Sequence, residues 1–520
     1  MIMRIVTTTS GAAIGLALTM LNLLVPVADA EEASQRPNFV FIYADDWRSD
    51  CLGVVQREQG VAARFPWLET PRLDVFAGQS MRFRESFVVN SLCSPGRACV
   101  LTGRYSHLNG IIGNGQPLPV NTVSLASRLQ DAGYRTAYCG KWHMDGQRER
   151  PGFDFVASFV GQGRYFDCPI LVRGTDNPVR RGNRRTELSV LQQTPTSGWI
   201  DDVSTDYAIE FLEKQSNDEP FFLFLGFKSP HGPRGGNNLP ERVRSLYAGN
   251  ASRTVPNVDV QAVYRRGAEP APADAPRREE RQVEGHRAYM RHITAIDHCV
   301  GRLLDALDRT GHAEQTVVIV ASDNGYYLGE HGLSDKRSAY EESIRVPLMI
   351  RLPGDSARRG DTSHALVLNI DYAPTILDFA GAEPLPGAQG RSLRPLLEAE
   401  TRADWRTAFF YEYFKEGQYE SPTMLAVRTA THKLITYPGH DEWTELFDLE
   451  NDPYETKNLV DDAGLLAKMR GVFDAEAEAV AFRMPDDVPK KKERPGRREG
   501  RKRNRAPRVD LNQPQSGDRQ

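Results

Sequence analysis

Cysteine and histidine are scarce in this sequence, and they form no cluster. Six cysteines and eleven histidines occur among 520 residues, and no two cysteines stand at the spacing of a structural zinc site. The cysteines are irregularly placed, and if one of them has another role, the five that remain cannot all pair. These shortages disfavour a zinc module and a fully disulfide-paired framework.

Long apolar runs are also missing, except at the N-terminus. Residues 11–27 are nearly all apolar or small, Arg4 precedes them, and a small-x-small triplet ends at Ala30. This pattern is typical of a secretory signal peptide over residues 1–30, whereas a retained anchor would need a longer run. We therefore expect an exported protein, periplasmic or secreted, cut near Ala30 and without a transmembrane anchor.

Positive charge is concentrated at the C-terminus. Residues 490–508 contain eleven Lys or Arg and two Glu, which gives this segment a charge of +9. Because the net charge of the whole chain is −4, the remaining residues together carry a charge of −13. Such a composition predicts a solvated, disordered tail over residues 483–520. Its sharper interpretation is a weak contact with a polyanion such as a sulfated glycan. We expect no nucleic-acid partner.

What the sequence does contain is a series of short apolar runs separated by helical patterns. Continuous runs of this kind predict strands that are covered on both faces, and their alternation with helices predicts an α/β domain with a largely parallel sheet. The runs are residues 38–44, 135–140, 221–227, 316–322 and 346–351. The helical patterns are residues 122–132, 206–214 and 286–309.

The pattern changes after about residue 380. Residues 408–414 and 423–438 predict antiparallel hairpin strands, and a helix is predicted near residues 463–482. We therefore predict a large domain over residues 31–380 and a smaller C-terminal α+β domain with an antiparallel sheet over residues 381–482.

Polar side chains follow four of the predicted strands at the point where each strand ends. Each pair alone is usual in a turn or helix cap, but the carboxyl ends of strands in an open α/β sheet are where ligands bind. Their coincidence at four strand ends therefore predicts a site. The residues are Asp45 and Asp46, Lys141 and His143, Lys228 and His231, and Asp323 and Asn324.

This set of residues suits an oxyanion beside a hard metal ion. Three Asp and one Asn offer only oxygen ligands, which favours Ca²⁺ or Mg²⁺ over zinc. Lysines, histidines and an arginine around such an ion would bind a tetrahedral oxyanion. Sulfate esters and phosphate esters both remain candidate substrates at this point.

Cys93 stands before a helix-like segment in which Pro95 occupies the first turn. A thiolate nucleophile at a helix N-terminus is one interpretation. A soft thiolate, however, is a poor partner for an all-oxygen metal site. The residues alone do not resolve this conflict.

The segment around this cysteine resembles the signature of the type I, formylglycine-dependent sulfatases. Further blocks of the same family recur in order from about residue 37 to residue 460, at residues 37–53, 132–144, 229–233, 323–351 and 446–460. The signature itself reads Cys93-Ser94-Pro95-Gly96-Arg97, followed by Leu101-Thr102-Gly103-Arg104. The resemblance implies an alkaline-phosphatase-like α/β sandwich with helices flanking a large, mostly parallel sheet.

The resemblance also implies a sulfuric ester hydrolase in which Cys93 is converted to formylglycine (3-oxoalanine) by a formylglycine-generating enzyme. The implied cofactor is one Ca²⁺, ahead of Mg²⁺. Its ligands would be Asp45, Asp46, Asp323, Asn324 and the modified Cys93. The implied catalytic residues are Cys93, Arg97, Lys141, His143, His231 and Lys336, of which Arg97, Lys141, His231 and Lys336 would also bind the substrate.

The resemblance assigns a role to each of these groups. A hydroxyl of the hydrated aldehyde attacks sulfur while Asp323 takes or shares its proton. His231 and Lys336 protonate or stabilise the departing alcohol. His143 then deprotonates the second hydroxyl, so that sulfate leaves and the aldehyde returns. Gly96 departs from the family pattern, in which serine is usual, whereas Cys93, Pro95 and Arg97 are intact.

The predicted substrate is a sulfated carbohydrate. Residues 90–93, 106–110 and 335–337 most resemble the N-acetylglucosamine-6-sulfatase and mucin-desulfating branch, while specificity is expected in loops such as 145–200 and 232–284. Two alternatives stay open. One is a phosphate or phosphonate ester hydrolase of the same superfamily. The other is a non-catalytic glycan-binding homologue.

Overall fold

The computed structural model describes residues 36–144, 149–173, 191–265, 275–354, 358–398, 404–417 and 419–486. The predicted signal peptide and all but the first residues of the predicted tail lie outside these ranges, as do parts of the two predicted specificity loops. Among the described residues, no helix combines the length and apolar character that a membrane crossing requires.

The described residues contain sixteen strands, which form three sheets. They are β1 (Asn38–Asp45), β2 (Met81–Phe83), β3 (Ser86–Phe87), β4 (Arg135–Lys141), β5 (Phe155–Phe159), β6 (Ile170–Arg173), β7 (Gln192–Thr194), β8 (Phe221–Pro230), β9 (Thr316–Ser322), β10 (Leu348–Arg351), β11 (Thr362–Ser363), β12 (Val367–Leu368), β13 (Ala408–Tyr413), β14 (Met424–Thr429), β15 (His432–Thr436) and β16 (Glu445–Asp448).

The largest sheet has ten strands in the order β11-β2-β10-β9-β1-β8-β4-β5-β6-β7. Its centre, from β9 through β1, β8 and β4 to β5, is parallel throughout. Antiparallel strands extend it on both sides. The predicted large, mostly parallel sheet is therefore confirmed in its centre, and the five predicted strands are all members of this sheet.

The helices cover both faces of this sheet. They are α1 (Gly53–Gln59), α2 (Pro71–Gly78), α3 (Cys93–Thr102), α4 (Ser106–Asn109), α5 (Leu125–Asp131), α6 (Ile200–Glu213), α7 (Glu241–Arg244), α8 (Ala275–Arg309), α9 (Glu341–Ile344), α10 (Tyr372–Ala380), α11 (Arg394–Glu398) and α12 (Ala463–Ala479). Successive residues of the central strands alternate between two apolar cores. One core contains α2, α6 and α8, and the other contains α3, α5, α10 and α11.

The C-terminal region forms a four-stranded antiparallel sheet in the order β13-β14-β15-β16. One face packs against the large sheet's body through a third apolar cluster that includes Phe87, Ile344 and Phe409. The other face is covered by α12, where Met469 contacts Val427. The predicted hairpin strands and final helix are confirmed, whereas the domain boundary near residue 380 stays a prediction.

Two predicted helices begin earlier than the sequence pattern indicated. Helix α6 begins at Ile200 and α8 at Ala275, within segments that were predicted as loop. Residues 279–285 of α8 are mostly exposed. Apolar periodicity therefore could not reveal this part of α8, because a helical segment without an apolar face leaves no such pattern.

Candidate active site

The four predicted strand ends meet at one edge of the large sheet. A register shift between β1 and β8 after Tyr43 brings Asp45 opposite Pro230, next to His231. The backbones of Asp46 and His143 have φ angles of 70° and 60°. Such values are uncommon for residues with a side chain and concentrate at functional sites. These local bends turn the side chains toward a common centre.

Three carboxylates form the acidic part of the site. One oxygen each from Asp45, Asp46 and Asp323 lies within 4.8 Å of the other two, and all three residues are buried. Burial and the nearby Asp45 raise the pKa of Asp323 to about 7, although Arg97 acts in the opposite direction. So much buried negative charge is unfavourable without a compensating cation.

Asn324 completes an oxygen-rich set. Its Nδ2 donates to Asp46 Oδ1 at 2.8 Å, while its buried Oδ1 accepts no hydrogen bond from any described residue. An amide oxygen without a partner beside three carboxylates is the donor set that a hard divalent cation binds. The residues present therefore fit the Ca²⁺ or Mg²⁺ ion implied by the sequence.

Three cationic side chains each contact one of these carboxylates. Lys141 Nζ binds Asp45 Oδ2, and Lys336 Nζ donates to Asp46 Oδ1 at 2.7 Å. Arg97 binds Asp323 Oδ2 through Nε at 3.1 Å and donates through Nη1 to the carbonyl of Lys141 at 2.8 Å. Burial opposes the charge of Lys336, but Asp46 outweighs it and raises the pKa of Lys336 well above its usual value. The lysine is therefore charged in the folded protein.

Gly140 permits the close strand contact that positions Lys141. Its φ angle is 93°, and a Cβ atom there would lie 1.9 Å from the carbonyl oxygen of Gly226 on the neighbouring strand. Only glycine combines this conformation with this approach. Lys141 then follows directly and enters the site fully buried.

Cys93 is the first residue of α3 and lies beside the carboxylates. Its Sγ is 3.3 Å from Asp45 Oδ1, and the residue is fully buried. Burial and the charge of Asp45 raise the pKa of the thiol, so that an unmodified Cys93 stays protonated. Sγ, a carboxylate oxygen of Asp45 and a ring nitrogen of His231 all lie within 4.8 Å of one another. The thiol is thus well placed and chemically unsuited to attack.

The two histidines are neutral and face the same space. His231 Nδ1 lies 2.7 Å from the carbonyl oxygen of Gly232 and donates to it, which leaves Nε2 4.0 Å from Asp46 Oδ2. Burial and Lys336 lower the pKa of His231 to about 3. Burial and Lys141 hold the pKa of His143 well below its usual value, and its Nδ1 has no hydrogen-bond partner among the described residues.

Two residues of the site were missed by sequence reasoning. Gln162 Oε1 accepts from Lys141 Nζ at 2.7 Å, and Arg234 Nη2 lies 3.7 Å from Asp46 Oδ2. Gln162 follows β5 at the same sheet edge, so a correct prediction of that strand would have pointed to it. Arg234 follows His231 in a Pro- and Gly-rich segment that has no periodic signal.

The sequence comparisons cover both parts of the fold. A family model described as Sulfatase matches residues 37–382, and one described as N-sulphoglucosamine sulphohydrolase, C-terminal, matches residues 329–474. The chain is 30% identical to an N-acetylglucosamine-6-O-sulfatase of Bacteroides thetaiotaomicron over 92% of each chain. It is 29% identical to an ulvan-active sulfatase of Formosa agariphila, covering 84% of this chain and 79% of the relative.

One solved structure adds a relative with a bound sugar. This structure is of a protein in complex with its substrate D-glucosamine-2-N,6-O-disulfate. That protein is 28% identical in sequence to this chain, and the two structures superpose with a TM-score of 0.75. The match covers 87% of this chain and 100% of the other. The similarity therefore extends over the large sheet and the C-terminal sheet together.

Proposed function

The chain belongs to the sulfatase family and is a sulfuric ester hydrolase, and from its site we propose that it removes sulfate from a sulfated glycan with Cys93, converted to formylglycine, as the nucleophile. In the net reaction one water is consumed and the ester is cleaved to an alcohol and inorganic sulfate. A formylglycine-generating enzyme would be the maturation partner, and we expect export before action on an extracellular glycan.

The position of Cys93 is the observation that carries this proposal. Its Sγ lies 3.3 Å from Asp45 Oδ1 and within 4.8 Å of a ring nitrogen of His231, beside the oxygen-rich ligand set. A thiol with a raised pKa is a poor nucleophile. Replacement of the sulfur by the hydroxyl of a hydrated aldehyde would supply a hard oxygen in the same place, and that hydroxyl would attack the sulfur of the ester.

Asp45, Asp46, Asp323 and Asn324 would hold the metal ion, for which we propose Ca²⁺. The ion would supply positive charge that favours an ionised hydroxyl and stabilises the sulfate oxygens. The surrounding residues support this assignment, because Lys141 and Lys336 occupy only one oxygen each of Asp45 and Asp46. The remaining oxygens of these two carboxylates are left for other partners.

Lys336 and His231 are proposed to act on the leaving oxygen. The raised pKa of Lys336 keeps a proton on Nζ, which can donate a hydrogen bond to the departing alkoxide. His231 is neutral without substrate. Binding of the sulfate anion would raise its pKa, because a nearby negative charge favours the imidazolium. His231 could then deliver the proton.

The other residues hold the reacting groups and accept protons. His143 is neutral, and its Nδ1 has no partner within the described ranges, so it can accept a proton from the second hydroxyl of the nucleophile. Asp323 can take or share the proton of the attacking hydroxyl. Arg97 binds Asp323 through Nε and the Lys141 carbonyl through Nη1, which supports a role in fixing these groups, and we propose that Lys141 Nζ contacts the sulfate.

A sulfated sugar is the proposed substrate class, and 6-O-sulfated N-acetylglucosamine is the first candidate within it. The support is the likeness to an N-acetylglucosamine-6-O-sulfatase and to a structure that holds a 6-O-sulfated glucosamine. The likeness of residues 90–93, 106–110 and 335–337 to that branch points in the same direction.

Hydrolysis of matched aryl esters tests the reaction class. Protein produced together with a converting enzyme should hydrolyse an aryl sulfate with a higher kcat/KM than the corresponding aryl phosphate. A strong preference for the phosphate would replace the proposal by the phosphate or phosphonate hydrolase alternative. Loss of all hydrolysis, with sugar binding retained, would favour the non-catalytic alternative. A panel of defined sulfated monosaccharides then ranks the sugars.

A further inference from the structure

Arg234 presents a guanidinium group to the active site without a carboxylate of its own. Its Nη2 is 3.7 Å from Asp46 Oδ2, which is too long for a hydrogen bond, and Nη2 donates no hydrogen bond to any other described residue. Lys336 and Asn324 already bind the other oxygen of Asp46. The contact between Arg234 and Asp46 is therefore not an ordinary structural ion pair.

Arg242 shows what an ordinary ion pair looks like in the same part of the chain. Its two terminal nitrogens bind both oxygens of Asp202 at 2.7 and 2.8 Å, and its guanidinium lies over Trp199. The two arginines stand eight positions apart and both contact an aromatic ring. Only Arg242 has a fork-to-fork carboxylate partner.

The structure fixes the side chain of Arg234 although its outer nitrogen is unpaired. The guanidinium lies 3.9 Å from the ring centre of Tyr326 and 5.0 Å from that of Tyr289, and its Nε donates to the carbonyl of Pro230. Burial alone would lower the pKa of Arg234, but Tyr326 and Asp46 outweigh it and raise the pKa. A charged, immobilised donor of this kind is preorganised to bind an anion.

A metal ion bound by the carboxylates would make the position of the charged Arg234 guanidinium unfavourable unless an anionic group bound beside it. Asp46 is one of the proposed metal ligands, so a divalent ion there would repel the guanidinium across a short distance. His231 Nε2 approaches the same Asp46 oxygen at 4.0 Å, which places Arg234 on the His231 side of the site. Under the proposed function His231 serves the leaving oxygen, so the sugar lies on this side.

We propose that Arg234 is a specificity-determining residue that binds a second anionic group of the substrate, beyond the sulfate that is cleaved. This inference rests on the proposed function, since it takes the scissile sulfate to lie between Lys141 and Lys336. The second group is a sulfate on the same sugar or a carboxylate on an adjacent one. Both present oxygens that a guanidinium binds through two parallel hydrogen bonds.

Binding to a protein that cannot turn over tests this inference directly. The background is Cys93→Ala, and calorimetry measures Kd for a sugar with one sulfate ester, for the same sugar with a second sulfate, and for the singly sulfated sugar linked to a uronate. We expect one of the two doubly charged ligands to bind about 10-fold more tightly than the singly sulfated sugar, or about 1.4 kcal/mol. The preferred ligand identifies the second anion as sulfate or carboxylate.

Arg234→Met in this background should abolish the preference, because Met retains a flexible apolar side chain but lacks the donor nitrogens. Arg242→Met is the matched control, with the same charge change and the same contact with an aromatic ring, and should retain the preference. Arg234→Lys should retain part of it. These comparisons use ratios of Kd, so a general loss of folded protein does not imitate the result.

Two outcomes would overturn the inference. They are equal binding of singly and doubly charged sugars by the Cys93→Ala protein, and an unchanged preference in Arg234→Met. An unchanged preference accompanied by an equal loss of affinity for both ligands would show that Arg234 serves the scissile sulfate or Asp46. Failure of the proposed function is distinguishable, because it appears as absent aryl sulfate hydrolysis by the protein that retains Cys93.

Discussion

Two buried charged clusters in this protein use the same residue types for different purposes. One is the proposed active site, and the other, which we call the seam cluster, consists of His331, Glu341, Glu342, Lys433 and Glu455. In each, three potential ligand atoms lie within 4.8 Å of one another. The seam cluster joins the loop around α9 to the C-terminal sheet, whereas the active site lies at the carboxyl ends of the large sheet's strands.

The difference lies in how the charges are matched. In the seam cluster Lys433 is fully buried between Glu455 at 2.8 Å and Glu341 at 2.9 Å, and the backbone N–H of Glu341 donates to Glu455 at 2.8 Å. Glu341 keeps 12% of its side-chain surface accessible. The active site leaves His231 and Arg234 partly exposed, with 19% and 14% of their side-chain surface accessible. Proximity of acidic groups therefore does not by itself identify a ligand site.

Removal of the seam cation should have the largest effect on stability. Lys433→Met leaves Glu341 and Glu455 buried with less compensation, which we expect to lower the free energy of unfolding by about 3 kcal/mol. Urea denaturation at neutral pH measures it. The kcat of the folded fraction should be unchanged, because Ser91, which lies outside the seam cluster, also holds the Lys336 carbonyl. A Lys433→Met protein that is stable but inactive would contradict a structural role for the seam cluster.

Removal of the active-site cation should give the opposite result. Lys336→Met removes the proposed donor to the leaving oxygen, so we expect a loss of about 1,000-fold in kcat for an aryl sulfate. The loss should be smaller for aryl sulfates whose phenol has a low pKa, since these need less assistance in leaving. Stability with saturating metal should change little. A kcat loss that is the same for good and poor leaving groups would remove Lys336 from this role.

Removal of Ca²⁺ by a chelator should show which of the two clusters binds the metal ion. Ca²⁺ at 100 times its Kd would stabilise the protein by about 2.7 kcal/mol if it binds only the folded chain. Thermal unfolding with and without chelator measures this effect. Asp323→Asn should abolish it, whereas Glu455→Gln should leave it intact. Retention of the calcium effect in Asp323→Asn, together with its loss in Glu455→Gln, would place the metal at the seam.

A glycine in α3 and one in α12 provide the finest comparison. A Cβ at Gly96 would lie 2.8 Å from the carbonyl oxygen of Asp323, whereas one at Gly471 would meet nothing within 4 Å. We expect Gly96→Ala to destabilise by about 1 kcal/mol through overpacking. Gly471→Ala should stabilise by about 1 kcal/mol through helix propensity. Urea denaturation measures the free energy of unfolding of both variants. An increase in that free energy for Gly96→Ala would contradict the prediction and show that α3 can shift to accommodate a Cβ atom.

The sequence predicted the central strands and the convergence of polar residues at their ends for the same physical reason. Strands buried on both faces are continuous apolar runs, and the polar residues that follow them at Asp45, Lys141 and Asp323 converge because the strands are parallel. Other features depend on tertiary contacts that leave no local pattern. Residues 279–285 of α8 are mostly exposed. The position of Arg234 depends on Tyr289 and Tyr326, which are distant from it in sequence.

Formylglycine at position 93 is the central claim, and the mass of one peptide tests it most directly. Trypsin should release residues 85–97 from protein that was exported by cells containing a converting enzyme. The account predicts a peptide in which the sulfur of Cys93 is replaced by oxygen with the loss of two hydrogens, in a fraction that rises with specific activity. An intact thiol in all molecules of a preparation that hydrolyses sulfate esters would contradict it.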